Sequence, residues 1–120
     1  MADYDLKTAE YMLESKRYVY VIFMCHLSIE KVLKAIVCQK TKHSPPRTHD
    51  LIALVKIGKI QILEDMMDFV GIINNASIVT RYPEDLSQIV SSYPQKVAKM
   101  YLAKTKEVVK CLKRDKRLKK

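Results

Sequence analysis

The stretch that decides the fold runs from Tyr18 to Ile29, YVYVIFMCHLSI, where only His26 and Ser28 interrupt an apolar run of twelve residues. Charged residues follow at once, among them Glu30 and Lys34. The run is therefore too short to cross a bilayer, which needs about 20 apolar residues. A helix that is apolar on most of its sides belongs at the centre of a bundle or against a second subunit.

The rest of the chain also has helical character, since it holds only two glycines and four prolines in 120 residues, 48% of them apolar. We predict one domain over residues 1–120, all-α, built as an up-and-down four-helix bundle with an additional short helix. The helices are expected from Asp3 or Asp5 to about Arg17, from Tyr18 to Lys40, from Thr48 to Ile57, from Gln61 to Val79, and from about Pro94 onward.

Apolar spacing predicts which positions face inward. In the second helix these are Ile22, Cys25 or His26, Ile29, Val32 or Leu33, and Ile36. In the fourth they are Leu63, Met66, Met67, Val70, Ile73 and Ala76, and in the fifth Val97, Tyr101, Val108 and Leu112.

The loop before the third helix contains Pro45 and Pro46, which cannot continue the preceding helix. Thr48 is expected to cap the third helix, with Asp50 in its first turn and Gly58 just past its end. Arg47 then lies at a helix N-terminus, a place suited to anions.

Charge is distributed unevenly along the chain. Residues 94–120 hold eleven Lys or Arg against two acidic residues, whereas residues 1–93 hold eleven of each sign. We interpret residues 113–120 as a basic C-terminal tail, most simply a solvated helix end. A supplementary contact with RNA is the alternative, although no aromatic residue follows Tyr101 to stack on bases.

Several classes of site are not supported by the sequence. Three scattered cysteines and three histidines show no metal-ligand spacing, so no metal and no cofactor are assigned. Two glycines cannot supply a phosphate-binding glycine loop or a dinucleotide fingerprint. No apolar leader precedes the first amphipathic helix, and we expect a cytoplasmic protein without a membrane span.

Two groups of residues could carry function. The first joins Arg47, His49 and Asp50 to Arg81 and Tyr82, and could bind a phosphate because Arg and His donate to anions. These residues could instead only hold turns and caps. The second group is the interhelical polar pair His26 and Glu30, adjacent at i and i+4, and a hydrogen-bonded core pair is its simpler interpretation. Lys31 and Lys34 flank that pair and are expected to be solvated.

Three motifs in order give the chain a family resemblance: CHLSIEKVLKA at residues 25–35, PPRTHDL at 45–51 and TRYP at 80–83. Together they resemble the HEPN domain, the higher eukaryotes and prokaryotes nucleotide-binding domain, across roughly residues 5–112. The resemblance implies a four-helix bundle plus a short helix, akin to the substrate-binding domain of aminoglycoside nucleotidyltransferases. It also implies a homodimer, often paired with a minimal nucleotidyltransferase as toxin and antitoxin.

Many members of that family are metal-independent ribonucleases, in which an arginine is followed after four to six residues by a histidine. This chain lacks that spacing, since Arg17 and His26 are separated by eight residues and Arg47 and His49 by one. No catalytic residue is therefore assigned. We expect a non-enzymatic dimer that binds a nucleotide or phosphate ligand, or serves as partner subunit of a nucleotidyltransferase. The alternative is a ribonuclease toxin with an atypical site that uses His49 and Arg81.

Overall fold

The computed structural model describes residues 2–44, 47–79 and 94–115, with side chains up to residue 76 in the middle range. These residues form five helices and no strand, which confirms the expected all-α fold. The helices are α1 (Ala2–Glu14), α2 (Tyr18–Thr41), α3 (Leu51–Gly58), α4 (Glu64–Val79) and α5 (Gln95–Leu112). Four longer helices and one short helix match the predicted arrangement.

Helix α2 lies at the centre of the fold and contacts each of the other four helices. Its predicted inner stripe is confirmed, because Ile22, Cys25, Ile29, Leu33 and Ile36 are completely buried. These residues recur every three or four positions and pack on α1 at one side and α3 to α5 at the others. The apolar run that dominates the sequence is thus the core of the bundle.

Helix α1 ends at Glu14, three residues earlier than expected. Lys16 adopts the left-handed conformation at φ 63°, and the Arg17 N–H donates to the Met12 carbonyl at 2.8 Å. This reversal satisfies a terminal carbonyl and turns the chain directly into α2. At the other end, Asp3 and Asp5 lie within the first turn instead of before it.

Gly58 has a different role from the one predicted. It is the last residue of α3, and Lys59 takes the left-handed C-cap conformation at φ 46°. A Cβ on Gly58 would lie 2.9 Å from Ile60 Cγ1 and 3.2 Å from Val37 Cγ2. Glycine at this position therefore leaves room for the side chains of Ile60 and of Val37 on α2, and it does not serve a positive φ.

The inward faces of α4 and α5 differ in part from the prediction. Leu63 precedes α4 and is 65% exposed, whereas Phe69 is buried among Val70, Ile73 and Ala76. On α5, Val108 and Leu112 are buried as expected, but Val97 and Tyr101 are only half-buried. The inner positions of α5 that the prediction omitted are Ala98, Leu102, Thr105 and Val109.

The two shifts differ in origin. Helix α4 begins three residues later than predicted, which leaves Leu63 outside the helix. Helix α5 begins close to its predicted start, but its buried stripe passes through Ala98 and Leu102 instead of Val97 and Tyr101. The half-buried Tyr101 still contributes to packing, because its ring meets Phe69 edge to face with centroids 5.6 Å apart.

Candidate functional site

The start of α3 is capped by Asp50 and not by Thr48. The Asp50 Oδ1 accepts the backbone N–H groups of Ile52 at 3.0 Å and Ala53 at 3.4 Å. Thr48 Oγ1 accepts the N–H of Asp50 at 3.1 Å, which fixes the turn one step earlier. The expectation of a Thr48 cap with Asp50 inside the helix is therefore wrong. Both residue types cap well, and the turn decides between them.

Asn74 on α4 completes this cap from a second helix. Its Nδ2 donates to Asp50 Oδ1 at 3.1 Å, and its Oδ1 accepts the N–H of Leu51 at 3.0 Å. The first three amides of α3 are consequently satisfied within the protein. The expected anion site at this helix N-terminus is not open, so an anion here would have to be bound by side chains.

Glu30 on α2 is the buried acidic residue of the same region. Its carboxylate is 6% exposed, and its Oε1 lies 2.8 Å from His49 Nδ1. Its Oε2 accepts the Lys34 ammonium at 3.3 Å, and Oε1 is 3.8 Å from His26 Nδ1. A buried carboxylate needs such partners because burial without them costs several kcal/mol or more.

One residue of the first group singled out in the sequence, His49, therefore joins the second group in one cluster. His26 and Glu30 are neighbours on α2 as predicted, and His49 from the loop before α3 joins them. The expectation that Lys31 and Lys34 are merely solvated is wrong, since each contacts a buried carboxylate. Lys34 contacts Glu30, and Lys31 Nζ lies 2.8 Å from Asp5 Oδ2.

His49 is anchored at one ring nitrogen while its side chain remains 58% exposed. When Nδ1 carries the proton, it donates to Glu30 and leaves Nε2 as a base. When the imidazole is protonated, Nε2 becomes a donor to an anion. The Glu30 carboxylate thus orients an exposed imidazole that is able to play either part.

Arg47 lies two residues before His49 and is exposed, with no hydrogen bond or ion pair to any residue in the described ranges. It is therefore available to a ligand in solution. Arg81 and Tyr82, the other predicted members of the phosphate site, lie outside the described residues. Whether Arg81 lies close to Arg47, a question that the sequence left open, is therefore not answered by the described residues.

Asn74 is the residue of this region that sequence reasoning missed. A signal was present, because Asn74 lies beside the buried Ile73 and four residues after the buried Val70, next to the apolar face of α4. A polar side chain so close to a core face has to find a hydrogen-bonding partner. Its partner could not be identified without the packing of α4 on α3.

Two further searches gave negative results for the part of the chain that the structure describes. No group of three or more His, Cys, Asp or Glu side chains there could hold a metal ion. None of the described helices combines the length and the apolar character that a membrane crossing requires.

The fold and the cluster define a small helical-bundle protein with a polar site at the junction of α2, α3 and α4. A family model for the HEPN domain matches residues 1–116, nearly the whole chain. The protein belongs to the HEPN family. Neither curated protein sequences nor solved structures give a significant match.

Proposed function

We propose that this chain is a non-enzymatic HEPN protein that binds a nucleotide or another phosphate-bearing ligand through Arg47 and His49. It acts as a cytoplasmic homodimer and as the partner, or substrate-binding, subunit of a minimal nucleotidyltransferase in a two-component or toxin-antitoxin system. The observation that carries the proposal is the anchored imidazole of His49, 2.8 Å from buried Glu30 and 58% exposed.

The anchored imidazole supports binding because its position is fixed before a ligand arrives. Arg47, two residues away, adds a planar guanidinium that suits bidentate contact with phosphate oxygens. Asp50 occupies the helix amides, so recognition falls on these two side chains. A ligand that carries a terminal phosphate would place its charge against the Arg47 guanidinium and the exposed Nε2 edge of the His49 ring.

Absence of catalysis is supported by the spacing of the histidines and arginines. The ribonuclease motif places four to six residues between an arginine and the histidine that follows it, and no arginine in this sequence is followed by a histidine at that distance. Arg47 and His49 lie in the loop before α3 rather than on one helix face. Their relative placement suits an ionic contact with a phosphate better than the removal of a proton from RNA.

Titration calorimetry with ATP and GTP tests the proposal. Wild-type protein should bind at micromolar to millimolar concentration, and Arg47→Ala should weaken binding at least about tenfold, the loss of one charge-assisted contact. Lys56→Ala, which removes an exposed cation from the opposite end of α3, should leave binding unchanged. Absence of any heat at millimolar nucleotide, or an equal effect of both variants, would refute the phosphate site.

A ribonuclease is the second candidate, and the Glu30–His49 contact favours it. A carboxylate that accepts Nδ1–H leaves Nε2 free to remove a proton from an RNA 2′-hydroxyl, the arrangement of a general base. The purified protein without any partner is incubated with structured and unstructured RNA. Cleavage that is lost in His49→Asn and reduced in Glu30→Gln would establish this function and overturn the non-enzymatic proposal.

A further inference from the structure

A second surface with exposed aromatic and basic side chains lies along the packed pair of helices α1 and α5. Two ion pairs join these helices: Asp3 Oδ1 with Lys113 Nζ at 2.5 Å and Glu10 Oε1 with Lys106 Nζ at 2.6 Å. From the first ion pair to the second, the residue number rises by seven on α1 and falls by seven on α5. The helices are therefore antiparallel, in a register that is fixed over two turns.

Tyrosines stand on the outer side of α1 next to this seam. Tyr4 and Tyr11 follow the two paired acidic residues and are 69% and 58% exposed. They are seven residues apart, so they share one face about 10 Å along the helix. Lys7 lies between them, with its Nζ 5.9 Å from the Tyr11 ring centroid.

Helix α5 and its C-cap residue Lys113 contribute a row of cations on the other side of the seam. Lys99, Lys106, Lys110 and Lys113 are exposed and recur at spacings of seven, four and three residues, which aligns them on one face. The register of the ion pairs places Lys110 within one residue of the level of Lys7 across the seam. The acidic residues of the face are Asp3, Glu10 and Glu14, so five cations oppose three carboxylates.

The antiparallel packing therefore unites aromatic and basic residues that are about 100 positions apart in the sequence. The basic helix contains no exposed aromatic residue near its end, and α1 supplies two. Exposed tyrosines separated by lysines are the combination that binds unpaired nucleotides, because the rings stack on bases and the cations follow the phosphates.

We propose that this surface, defined by Tyr4, Lys7, Tyr11, Lys99 and Lys110, is a binding face for single-stranded nucleic acid. The cations favour a polyanion, and the two rings favour exposed bases over the closed stack of a duplex or an acidic protein segment. The face is distinct from the Arg47–His49 site, which precedes α3.

Fluorescence anisotropy with a labelled oligouridine RNA tests the face. The RNA has about 20 nucleotides, which exceeds the length of a typical single-strand binding site. Tyr4→Ala/Tyr11→Ala should weaken binding at least about tenfold and leave its salt dependence unchanged. Tyr20→Ala, which removes a third exposed tyrosine, on α2, should have no effect. Both substituted rings are largely exposed, so the variant should keep the wild-type thermal unfolding midpoint.

The cations are tested by the salt dependence. Lys7→Ala/Lys110→Ala should reduce the slope of log K against log salt by about 1.4, the loss of two phosphate contacts on a single strand. The control Lys56→Ala/Lys104→Ala lowers the net charge by the same amount, but both substitutions lie outside the face. It should keep the wild-type slope of log K against log salt.

Four outcomes would overturn the inference. They are absence of binding by the wild type, equal affinity for a duplex of the same length, equal effects of the two lysine pairs, and a change of oligomeric state in the tyrosine variant, which would make the face a subunit interface. Binding that survives in Arg47→Ala while nucleotide binding is lost supports this face as a separate site. The two proposals thus fail independently.

Discussion

Helices α2 and α5 are the two longest in the described chain, and they differ in burial and in position within the bundle. Helix α2 buries eleven of its 24 residues and contacts every other helix, whereas α5 buries six of 18 and presents a basic face. An apolar helix at the centre holds the fold together. The outer face of an amphipathic helix at the edge is not constrained by core packing, so its residues are available for ligand binding.

The same residue types differ in burial between α2 and the α1/α5 pair. Cys25 of α2 is fully buried and Cys111 of α5 is half-buried. Glu30 of α2 is buried among three basic side chains, whereas Glu10, which pairs with α5, is 37% exposed. Burial, not residue identity, therefore sets the energetic weight of each group, and four predictions test that statement.

The largest contrast should be between the two cysteines. Burial raises the pKa of the Cys25 thiol to about 12. Against an ordinary value near 8.5, its reactive thiolate should be about three orders of magnitude scarcer at pH 8. Two single-cysteine variants are labelled with Ellman's reagent: Cys38→Ser/Cys111→Ser, which keeps Cys25, and Cys25→Ser/Cys38→Ser, which keeps Cys111. Equal rates in the folded proteins would contradict the buried position, and equal rates in urea serve as control.

Core truncation in α2 should come next. Leu33→Ala removes a completely buried side chain and should lower the free energy of unfolding by about 3 kcal/mol. Met100→Ala on α5 removes a side chain that is 50% exposed and should cost less than about 0.5 kcal/mol. Urea denaturation at one fixed protein concentration measures both. Similar losses would show that α5 is as central as α2.

The buried carboxylate should have an intermediate effect. Glu30→Gln keeps the shape but removes the charge that binds His49 and Lys34, and should cost about 1.5 kcal/mol. The matched control is Glu14→Gln, an exposed glutamate on α1, which should stay within about 0.5 kcal/mol of the wild type. If the two variants unfold at the same urea concentration, the cluster contributes nothing to stability.

The smallest effect should be at the α1/α5 seam. Glu10→Gln should cost about 0.5 kcal/mol, since an exposed ion pair is weakened by solvent, and less in 1 M salt. The hydrogen bond and positive charge of Lys106 lower the pKa of the Glu10 carboxyl. Its stabilisation is complete above the unfolded pKa near 4.3 and is lost as pH falls through the lower folded value.

Stability measured from pH 6 to pH 3 checks that sign. The difference between wild type and Glu10→Gln should shrink at the acid end, as the wild-type carboxylate becomes protonated. A difference that widens on acidification would mean that Lys106 does not stabilise the ionised form.

Much of the fold could be predicted from local patterns. The positions of α2 and its inner stripe follow from apolar residues at helical spacing, and the scarcity of glycine and proline predicts an all-α domain. Boundaries were less accurate, because the reversal at Lys16 and the late start of α4 depend on backbone turns that no strong sequence signal marks.

The sequence singled out several polar residues near the start of α3, but it did not predict their contacts, and their role in ligand binding stays a prediction. His26, Glu30, Arg47, His49 and Asp50 were identified as two groups, and the packing of the loop before α3 onto α2 made Glu30 the partner of His49. The same packing closed the amides of α3 with Asp50 and Asn74. Contacts between segments 19 and 24 residues apart carry no local signature.

The sequence by itself determined that an apolar helix would be buried inside a helical bundle with a basic end, because hydrophobic spacing and charge are properties of each segment alone. Tertiary structure alone decided which charges share the buried Glu30 and that the tyrosines of α1 lie beside the lysines of α5. Such pairings depend on the register between distant helices, which is set by the packing of the whole core.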